Sequence, residues 1–111
     1  MARTSARSRF GRVDVVGDSM LPTLRPGDRL VVEWGGKVAP GAIVVVRRPG
    51  NPGLLVVKRV REQRKSGWIV IGDNPSESTD SRSFGPVASH LVEGVVVARY
   101  WPRPKRFPIP A

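Results

Sequence analysis

The sequence contains no cysteine and only one histidine, His90, among its 111 residues. The absence of cysteine excludes disulfides, cysteine-type zinc sites and cysteine nucleophiles, and the redox compartment therefore cannot be read from the sequence. A histidine-rich metal cluster is excluded as well, and a Ser-His-Asp triad would have to use His90. Because His90 has no serine or acid at a catalytic spacing, we expect it at the surface. We expect neither a metal nor a cofactor.

Long hydrophobic runs are missing too. The longest uninterrupted run has five residues, at positions 42–46, whereas a helix needs about 20 apolar residues to span a bilayer. The basic N-terminal segment MARTSARSRFGR is followed by no apolar stretch, so it does not have the form of a secretory signal. We therefore expect no transmembrane anchor and a cytoplasmic location, with peripheral contact of the basic termini with a membrane as the alternative.

Acidic residues are scarce relative to basic ones, with 9 against 19, and the formal net charge is +10. An excess of this size is compatible with three classes of partner: a nucleic acid, an anionic membrane surface or an acidic protein. Twelve glycines and eleven prolines separate short, valine-rich runs. This pattern is typical of β-structure with many turns, and the length fits a single domain.

The sequence predicts an all-β domain of mainly antiparallel strands, with at most short helical turns at 20–24 and 87–91. The predicted strands are 13–16, 29–33, 42–47, 54–61, 68–71 and 93–100. The runs AIVVV and LLVV are continuous rather than alternating, which predicts strands that are buried on both faces. We expect this domain to span 13–101, between a flexible basic arm at 1–12 and a Pro-rich basic tail at 102–111.

The stretch GDSMLPTL at 17–24 contains a candidate nucleophile, Ser19. A serine hydroxyl needs a neighbouring base, and with one histidine in the chain a lysine of lowered pKa is the remaining candidate. Lys58 ends the apolar run LLVV, where burial would lower its pKa. These residues alone leave two interpretations open. Ser19 and Lys58 form a catalytic pair, or they belong to a polar turn and to the polar end of a strand.

A third polar stretch, GDNPSESTDSRSFGPV, occupies 72–87. Asp80 and Arg82 stand two positions apart, so in an extended segment their side chains point to the same face and can pair. On its own, the stretch is equally typical of a solvated loop with an Asn-Pro turn.

Taken together and in this order, the three stretches resemble the type I signal peptidases, which are serine proteases with a Ser-Lys dyad. GDSMLPTLRPGDRLVV resembles the nucleophile box of that family, LLVVKRV its general-base box and GDNPSESTDSRSFGPV its last box. The resemblance implies the β-fold of the family from Val13 to Tyr100. The compact layout has no anchor and no domain inserted after Lys58. In this respect it is most similar to the small maturation proteases of nickel-containing superoxide dismutase.

The resemblance implies that Ser19 is the nucleophile and that Lys58 is a general base that acts in its neutral form. The backbone N–H of Ser19 would be one oxyanion donor, and Gly17, Asp18 and Met20 would surround the nucleophile in the cleft. Many bacterial signal peptidases carry a serine at the place of Gly17, and its hydroxyl supplies a second oxyanion donor. Here that donor would have to come from another group.

The resemblance also implies supporting and substrate-binding residues. Those expected to orient the lysine and to hold its loop are Ser78, Asp80, Arg82, Asp73 and Asn74. A substrate peptide would add as an extended strand beside Asp14, Val15 and Val16, with main-chain hydrogen bonds giving affinity.

The predicted function is that of a serine endopeptidase that removes an N-terminal leader from a precursor protein, with the nickel superoxide dismutase precursor as the expected substrate. One alternative is the core of a membrane-associated signal peptidase that processes secretory signal peptides. Another is a basic nucleic-acid-binding β-module, but no nucleic acid is expected as partner because the few aromatic residues form no stacking pattern. The peptidase half of a LexA-like repressor is disfavoured, since the sequence leaves no room for a helix-turn-helix.

Overall fold

The computed structural model describes residues 8–77 and 80–108. Its strands form one sheet with the order β1-β2-β6-β3-β4-β5, and β7 pairs with β6. The strands are β1 (Phe10–Asp14), β2 (Arg29–Trp34), β3 (Ile43–Arg48), β4 (Asn51–Arg64), β5 (Gly67–Ile71), β6 (Val92–Trp101) and β7 (Lys105–Arg106). Every paired strand is antiparallel to its neighbour. The predicted all-β, mainly antiparallel fold is confirmed.

In the described residues, helical structure is limited to short segments. The helix α1 (Ser81–Phe84) and two 3-10 turns, Pro75–Glu77 and Ser89–Leu91, all follow β5. The turn predicted at 20–24 is present, because the N–H of Leu24 donates to the carbonyl of Met20 at 2.9 Å. The turn predicted at 87–91 corresponds to Ser89–Leu91, and His90 is exposed there as expected. Within the described part of the chain, no helix is long and apolar enough to cross a membrane.

Buried side chains form two apolar groups that share the strand β3. The first core consists of Val15, Met20, Leu24, Leu30, Val32, Ile43, Val45, Val96 and Phe107. The second core consists of Ala42, Val44, Val46, Val60, Trp68, Val70, Val87 and Val95. Because side chains alternate along a strand, β3 directs Ile43 and Val45 to the first core and Val44 and Val46 to the second. The turn around Ser19 is thereby anchored in one core and the end of the loop after β5 in the other.

The loop that follows β5 is closed by a backbone bridge between Trp68 and Val87, which exchange hydrogen bonds of 2.8 Å in both directions. Gly67 makes this close approach possible, since a Cβ at this position would lie 2.1 Å from the carbonyl oxygen of Val87. Any larger residue would push the two segments apart. The bridge therefore fixes the C-terminal end of the polar stretch, at Val87, against the sheet.

The burial predicted for the two continuous apolar runs is right for β3 and wrong for the start of β4. Val44 and Val46 are fully buried, whereas Leu54 and Leu55 are 42% and 43% exposed. The physical reason is that the side of β4 near Leu54 lines an open cleft, so no second layer covers it there. Exposed leucines beside a cleft are the first indication of a surface that receives another molecule.

Two predicted boundaries are corrected by strand pairing. The first strand is Phe10–Asp14 rather than 13–16, and it begins inside the segment expected to be a flexible arm. The tail expected from 102 onwards pairs with β6 through Lys105 and Arg106. Phe107 is only 8% exposed and belongs to the first core. Burying its ring is favourable enough to hold the described part of this Pro-rich segment against the domain.

Candidate active site

Ser19 lies in a turn whose apolar residues point into the first core. Met20 is 1% exposed and Leu24 is fully buried, while Ser19 between them and the surface is half-buried. The N–H of Leu21 donates to the carbonyl of Asp18 at 3.2 Å and closes the turn, and the Leu21–Pro22 peptide bond is cis. Burial of Met20 and Leu24, which follow Ser19 in the turn, thus holds the serine hydroxyl at the rim of the domain.

Gly17 begins this turn with a φ of +81°. This is the left-handed region that L-residues with a side chain rarely adopt, although a Cβ at Gly17 would meet no atom within 4 Å. The backbone conformation, rather than lack of space, therefore favours glycine at the position where many bacterial signal peptidases carry a serine. The side chain of residue 17 supplies no oxyanion donor.

Lys58 lies on β4 directly opposite Val44 of β3, and only 3% of it is exposed. Burial lowers the pKa of its amine below the ordinary value of 10.5, and the positive charges of Arg82 and Arg48 act in the same direction. The carboxylate of Asp80 opposes this shift by raising the pKa of Lys58, but burial is the larger cause. The lysine is therefore placed where its neutral form is more accessible than in water.

Ser19 and Lys58 line the same cleft, which has a volume of about 200 Å³. Its other walls are Asp14, Val15, Val16 and Met20 on one side and 54–57 on the other. Within residues 8–77 and 80–108, the hydroxyl of Ser19 makes no hydrogen bond. In enzymes without substrate, catalytic hydrogen bonds are often long and tighten when substrate binds. The structure therefore brings the predicted nucleophile, the predicted base and the predicted substrate-binding residues to one place.

Asn74 holds the backbone of the turn around Ser19 by two hydrogen bonds. Its N–H donates to the carbonyl of Ser19 at 2.9 Å, and its side-chain Nδ2 donates to the carbonyl of Asp18 at 3.1 Å. Both carbonyls flank the nucleophile, so these two bonds fix the orientation of its peptide groups. The Gly-Asp-Asn stretch after β5 thus contacts the serine turn directly.

Asp73 joins three segments of the site. Its carboxylate accepts hydrogen bonds from Arg59 Nε at 2.9 Å, from Arg59 Nη2 at 2.8 Å and from Thr23 Oγ1 at 2.5 Å. Burial raises the pKa of Asp73, but the bonds from Arg59 and Thr23 outweigh burial and leave that pKa below its usual value. Arg59 also donates from Nη1 to the carbonyl of Gly41 at 2.9 Å. The strand of Lys58 and the turn of Ser19 are therefore both fastened to the carboxylate of Asp73.

Asp80 is fully buried and occupies the N-cap of α1. Its carboxylate accepts from the N–H groups of Gly72 and Arg82 at 2.9 and 3.0 Å. The guanidinium of Arg82 donates to it from Nε at 3.0 Å and from Nη2 at 2.6 Å. The predicted pairing of Asp80 with Arg82 is present in the structure, and the two charges act in opposite directions on the pKa of Lys58, Asp80 raising it and Arg82 lowering it. Ser78, which was also expected beside Lys58, lies outside the described residues.

Three contributors to the site were not predicted. Arg59 and Thr23 complete the contacts of Asp73, as described above. The third is Arg99, which is 8% exposed and donates from Nη1 to the carbonyl of Thr23 at 3.2 Å and to Asp28 Oδ2 at 3.3 Å. The sequence did contain a signal for the direction of Arg59. It follows Lys58 on a strand, so its side chain points to the face of the strand opposite that of Lys58.

Within the described ranges 8–77 and 80–108, no group of three or more His, Cys, Asp or Glu side chains could hold a metal ion. The groups that line the cleft include the hydroxyl of Ser19, the amine of Lys58 with its lowered pKa, the carboxylate of Asp14 and backbone amides. These groups suit acyl transfer through a serine.

Comparison with known proteins gives consistent matches. A family model described as Peptidase S24-like matches residues 4–97, which contain all of the candidate site residues. Mitochondrial ATP-independent inner membrane protease subunit 1a of Arabidopsis thaliana is 37% identical over 116 residues, covering 79% of this chain and 68% of that protein. Mitochondrial inner membrane protease subunit 1 of Schizosaccharomyces pombe is 31% identical over 112 residues, with 79% and 71% covered. The human protein of the same name is 29% identical over 117 residues, with 83% and 70% covered.

Proposed function

Because the chain belongs to the Peptidase S24-like family and is a signal-peptidase-like serine peptidase, we propose that Ser19 and Lys58 form its catalytic dyad. The observation that carries this proposal is the shared cleft, in which a half-buried serine and a buried lysine of lowered pKa are both lining residues. A neutral amine in such surroundings can accept the proton of a serine hydroxyl.

The proposed reaction proceeds by acyl transfer. Ser19 Oγ attacks the carbonyl carbon of the scissile peptide bond while its proton passes to the neutral Nζ of Lys58. The backbone N–H of Ser19 donates to the oxyanion that forms. Lys58 then gives its proton to the departing amine, which leaves the acyl group on Ser19. A water molecule, deprotonated by the neutral Nζ of Lys58, then attacks the acyl group and releases it as a carboxylate. Lys58 returns the proton to Ser19 Oγ, which regenerates the hydroxyl.

The substrate in this proposal is an extended peptide that lies along the open edge of β1. The N–H of Val15 donates to the backbone carbonyl of Asp28 at 2.8 Å, and the carbonyl of Val15 accepts from the N–H of Gly27 at 2.8 Å. The backbone groups of Val15 therefore point toward the interior of the sheet. Backbone groups alternate along a strand, and those of Asp14 and Val16 therefore point to the opposite side. Within the described ranges β1 pairs only with β2, so in this proposal these groups receive a peptide strand.

We further propose that the peptide is the N-terminal leader of a precursor protein. The nickel superoxide dismutase precursor is the specific candidate, on the basis of the short connection between Lys58 and the Gly-Asp-Asn stretch, which contains no inserted domain. A second candidate is a secretory signal peptide, and the observation that supports a substrate at a membrane is that the relatives are named as inner membrane proteases. Incubation with both substrates distinguishes them: the first proposal expects a new N-terminus on the superoxide dismutase by mass spectrometry and no cleavage of the signal peptide.

The dyad is tested with Ser19→Ala. We expect the rate of leader removal to fall by at least about 10³-fold, because the remaining groups can only bind and polarise the substrate. Ser66→Ala, in the exposed turn between β4 and β5, is the matched control and should cleave at the wild-type rate. Equal thermal unfolding temperatures would show that both variants fold. Normal cleavage by Ser19→Ala would remove Ser19 as the nucleophile.

A further inference from the structure

The exposed large apolar side chains of the described residues lie on one part of the surface. Val16, Leu54 and Leu55 line the cleft, whereas Phe10, Tyr100 and Trp101 lie on the neighbouring strands β1 and β6. The two groups meet at Asp14, which lines both the cleft and a shallow depression beside Tyr100. A concentration of exposed apolar side chains of this kind marks an interaction surface.

The aromatic group belongs to a broad sheet surface, which we call the outer face. One row of residues crosses four strands in register, and it consists of Arg12, Val31, Ala98 and Arg106. Strands lie about 4.8 Å apart, so the two arginines at the ends of this row are separated by roughly 14 Å. On the next row Arg29 lies opposite Trp101, with its guanidinium 4.5 Å from the centre of a Trp101 ring. Tyr100 borders both Arg12 and Arg106.

Among the described residues, the exposed cations of the outer face form no ion pair with a carboxylate. Elsewhere in the described residues, six arginines each form an ion pair with a carboxylate: Arg9, Arg47, Arg59, Arg64, Arg82 and Arg99. No ion pair within residues 8–77 and 80–108 involves the exposed cations of the outer face and its margin, which are Arg12, Arg25, Arg29, Arg103, Lys105 and Arg106. The carboxylate of Asp14 lines the same depression as Arg12 and Arg29, but the exposed cations of this surface outnumber it, and a surface of net positive charge attracts a partner of the opposite sign.

We propose that the outer face docks on a lipid bilayer that carries anionic headgroups. Lysine and arginine bind the phosphate groups of such lipids, and tryptophan and tyrosine prefer the interfacial region of a bilayer. The aliphatic side chains of Val16, Leu54 and Leu55 next to this face suit the same environment, because the interface accepts apolar side chains beside charged ones. Charge complementarity and exposed apolar surface thus point to one occupant.

Two other anionic partners fit the outer face less well. A nucleic acid would neutralise the arginines but would offer no apolar surface to Leu54 and Leu55. An extended acidic peptide lying along the strands is about one strand spacing wide. It could not contact Arg12 and Arg106 at the same time. A bilayer covers the whole width of the face and accommodates both kinds of side chain.

Vesicle co-sedimentation tests this docking without reference to catalysis. The full chain is mixed with vesicles of phosphatidylcholine alone or of phosphatidylcholine with phosphatidylglycerol, at low and at high salt. We expect binding only to the vesicles with phosphatidylglycerol, weakened by salt because the attraction is screened. The double variant Arg12→Ser/Arg106→Ser should bind at least about tenfold more weakly, since each basic residue near such a surface contributes substantially.

The large net charge makes a matched control essential. Arg61→Ser/Lys65→Ser removes the same charge from exposed positions at the far end of β4 and in the turn after it, and it should bind almost as wild type does. Equal weakening by both double variants would overturn the proposal, because binding would then follow net charge alone.

Two further measurements bear on the same proposal. The tryptophan emission should shift to shorter wavelength on binding, and Trp101→Phe should remove this shift, because Trp101 is the exposed tryptophan of the three. Absence of binding to the anionic vesicles at low salt would overturn the proposal. The proposal would also be overturned if a single-stranded oligonucleotide or polyglutamate bound more tightly than the anionic vesicles, and if only Arg12→Ser/Arg106→Ser, and not the control variant, lost that binding.

Discussion

At the scale of single residues, the buried amine of Lys58 determines how activity should depend on pH. Burial lowers its pKa, and only the neutral amine can accept the proton of Ser19. We therefore expect kcat/KM to rise with pH and to level off at a pH below the ordinary lysine value of 10.5. A profile that stays flat from acid to alkaline pH would contradict a lysine base.

Lys58→Met separates this chemical role from stability. The methionine has a similar shape and no charge to desolvate, so we expect cleavage to fall by about 10²–10⁴-fold while the fold is kept. At pH values between the lowered native pKa of Lys58 and its pKa in the unfolded chain, Lys58 of the wild type is protonated in the unfolded chain and neutral in the native state. Stability therefore rises with pH across that window. Urea unfolding at several pH values should show this rise in the wild type and not in Lys58→Met.

Gly17 is the second residue whose conformation has a measurable cost. Its φ of +81° is unfavourable for any residue with a Cβ, so Gly17→Ala and Gly17→Ser should each lower the free energy of unfolding by about 1 kcal/mol. Gly53→Ala is the control, because its φ is not positive and its Cβ would meet only Asn51 Oδ1 at 3.9 Å. If both Gly17 variants unfold like the wild type, the turn can relax and glycine is not required there.

Residue-scale prediction from the sequence succeeded where a local signal existed. Burial of Lys58 was predictable, because the lysine ends an apolar run on a strand. The contact of Arg99 with Asp28 was not, since 71 positions separate the two residues and neither stands in a pattern that selects the other. Such pairs depend on strand order, which a single sequence does not specify.

At the scale of elements, the loop after β5 fastens the base strand to the nucleophile turn through Asp73. Asp73→Asn keeps the size of the side chain but removes the charge that Arg59 binds at two positions. Arg59 is partly exposed to water, so we expect a loss of about 1–2 kcal/mol in the free energy of unfolding rather than the value for a fully buried pair. The rate of cleavage should fall roughly tenfold, because the turn and the strand lose their alignment.

Glu62→Gln is the control for Asp73→Asn, because it breaks an exposed ion pair with Arg64 far from the cleft. We expect almost no change in either stability or activity. The pH dependence gives a second check on Asp73. Its pKa is lowered in the native state, so its contribution to stability is present near neutral pH. It is lost as the pH falls through that lowered pKa. A wild-type cleavage rate in Asp73→Asn would show that the alignment has another source.

Element boundaries were predictable from turn residues but not from strand pairing. The strand β4 was expected at 54–61, yet it extends over Asn51–Arg64 because its polar end pairs with β5 across a tight turn. The helix α1 was missed, since four residues are too few to show a helical period and its N-cap, Asp80, was interpreted as part of an ion pair alone. The three stretches of the site were identified from their order along the chain, whereas the Arg59–Asp73 contact was not.

At the scale of the whole molecule, the described part of the C-terminal segment contributes to the first core. Phe107→Ala should lower the free energy of unfolding by about 3 kcal/mol, because it leaves a cavity among residues that include Leu24 and Val96. Phe10→Ala removes an equally large ring that is 45% exposed, and it should cost less than half as much. Similar thermal unfolding of Phe107→Ala and the wild type would restore the expectation of a loose tail.

The strand β3 contributes its odd-numbered residues to one core and its even-numbered residues to the other. The serine turn rests on the core of Ile43 and Val45, whereas the lysine lies opposite Val44. Substitutions along this strand therefore sort by parity into those that reach the nucleophile and those that reach the base. Each half of the proposed catalytic pair can therefore be adjusted by compensating changes on its own side of the strand. The two sets of substitutions need to be compatible only in the cleft, which both Ser19 and Lys58 line.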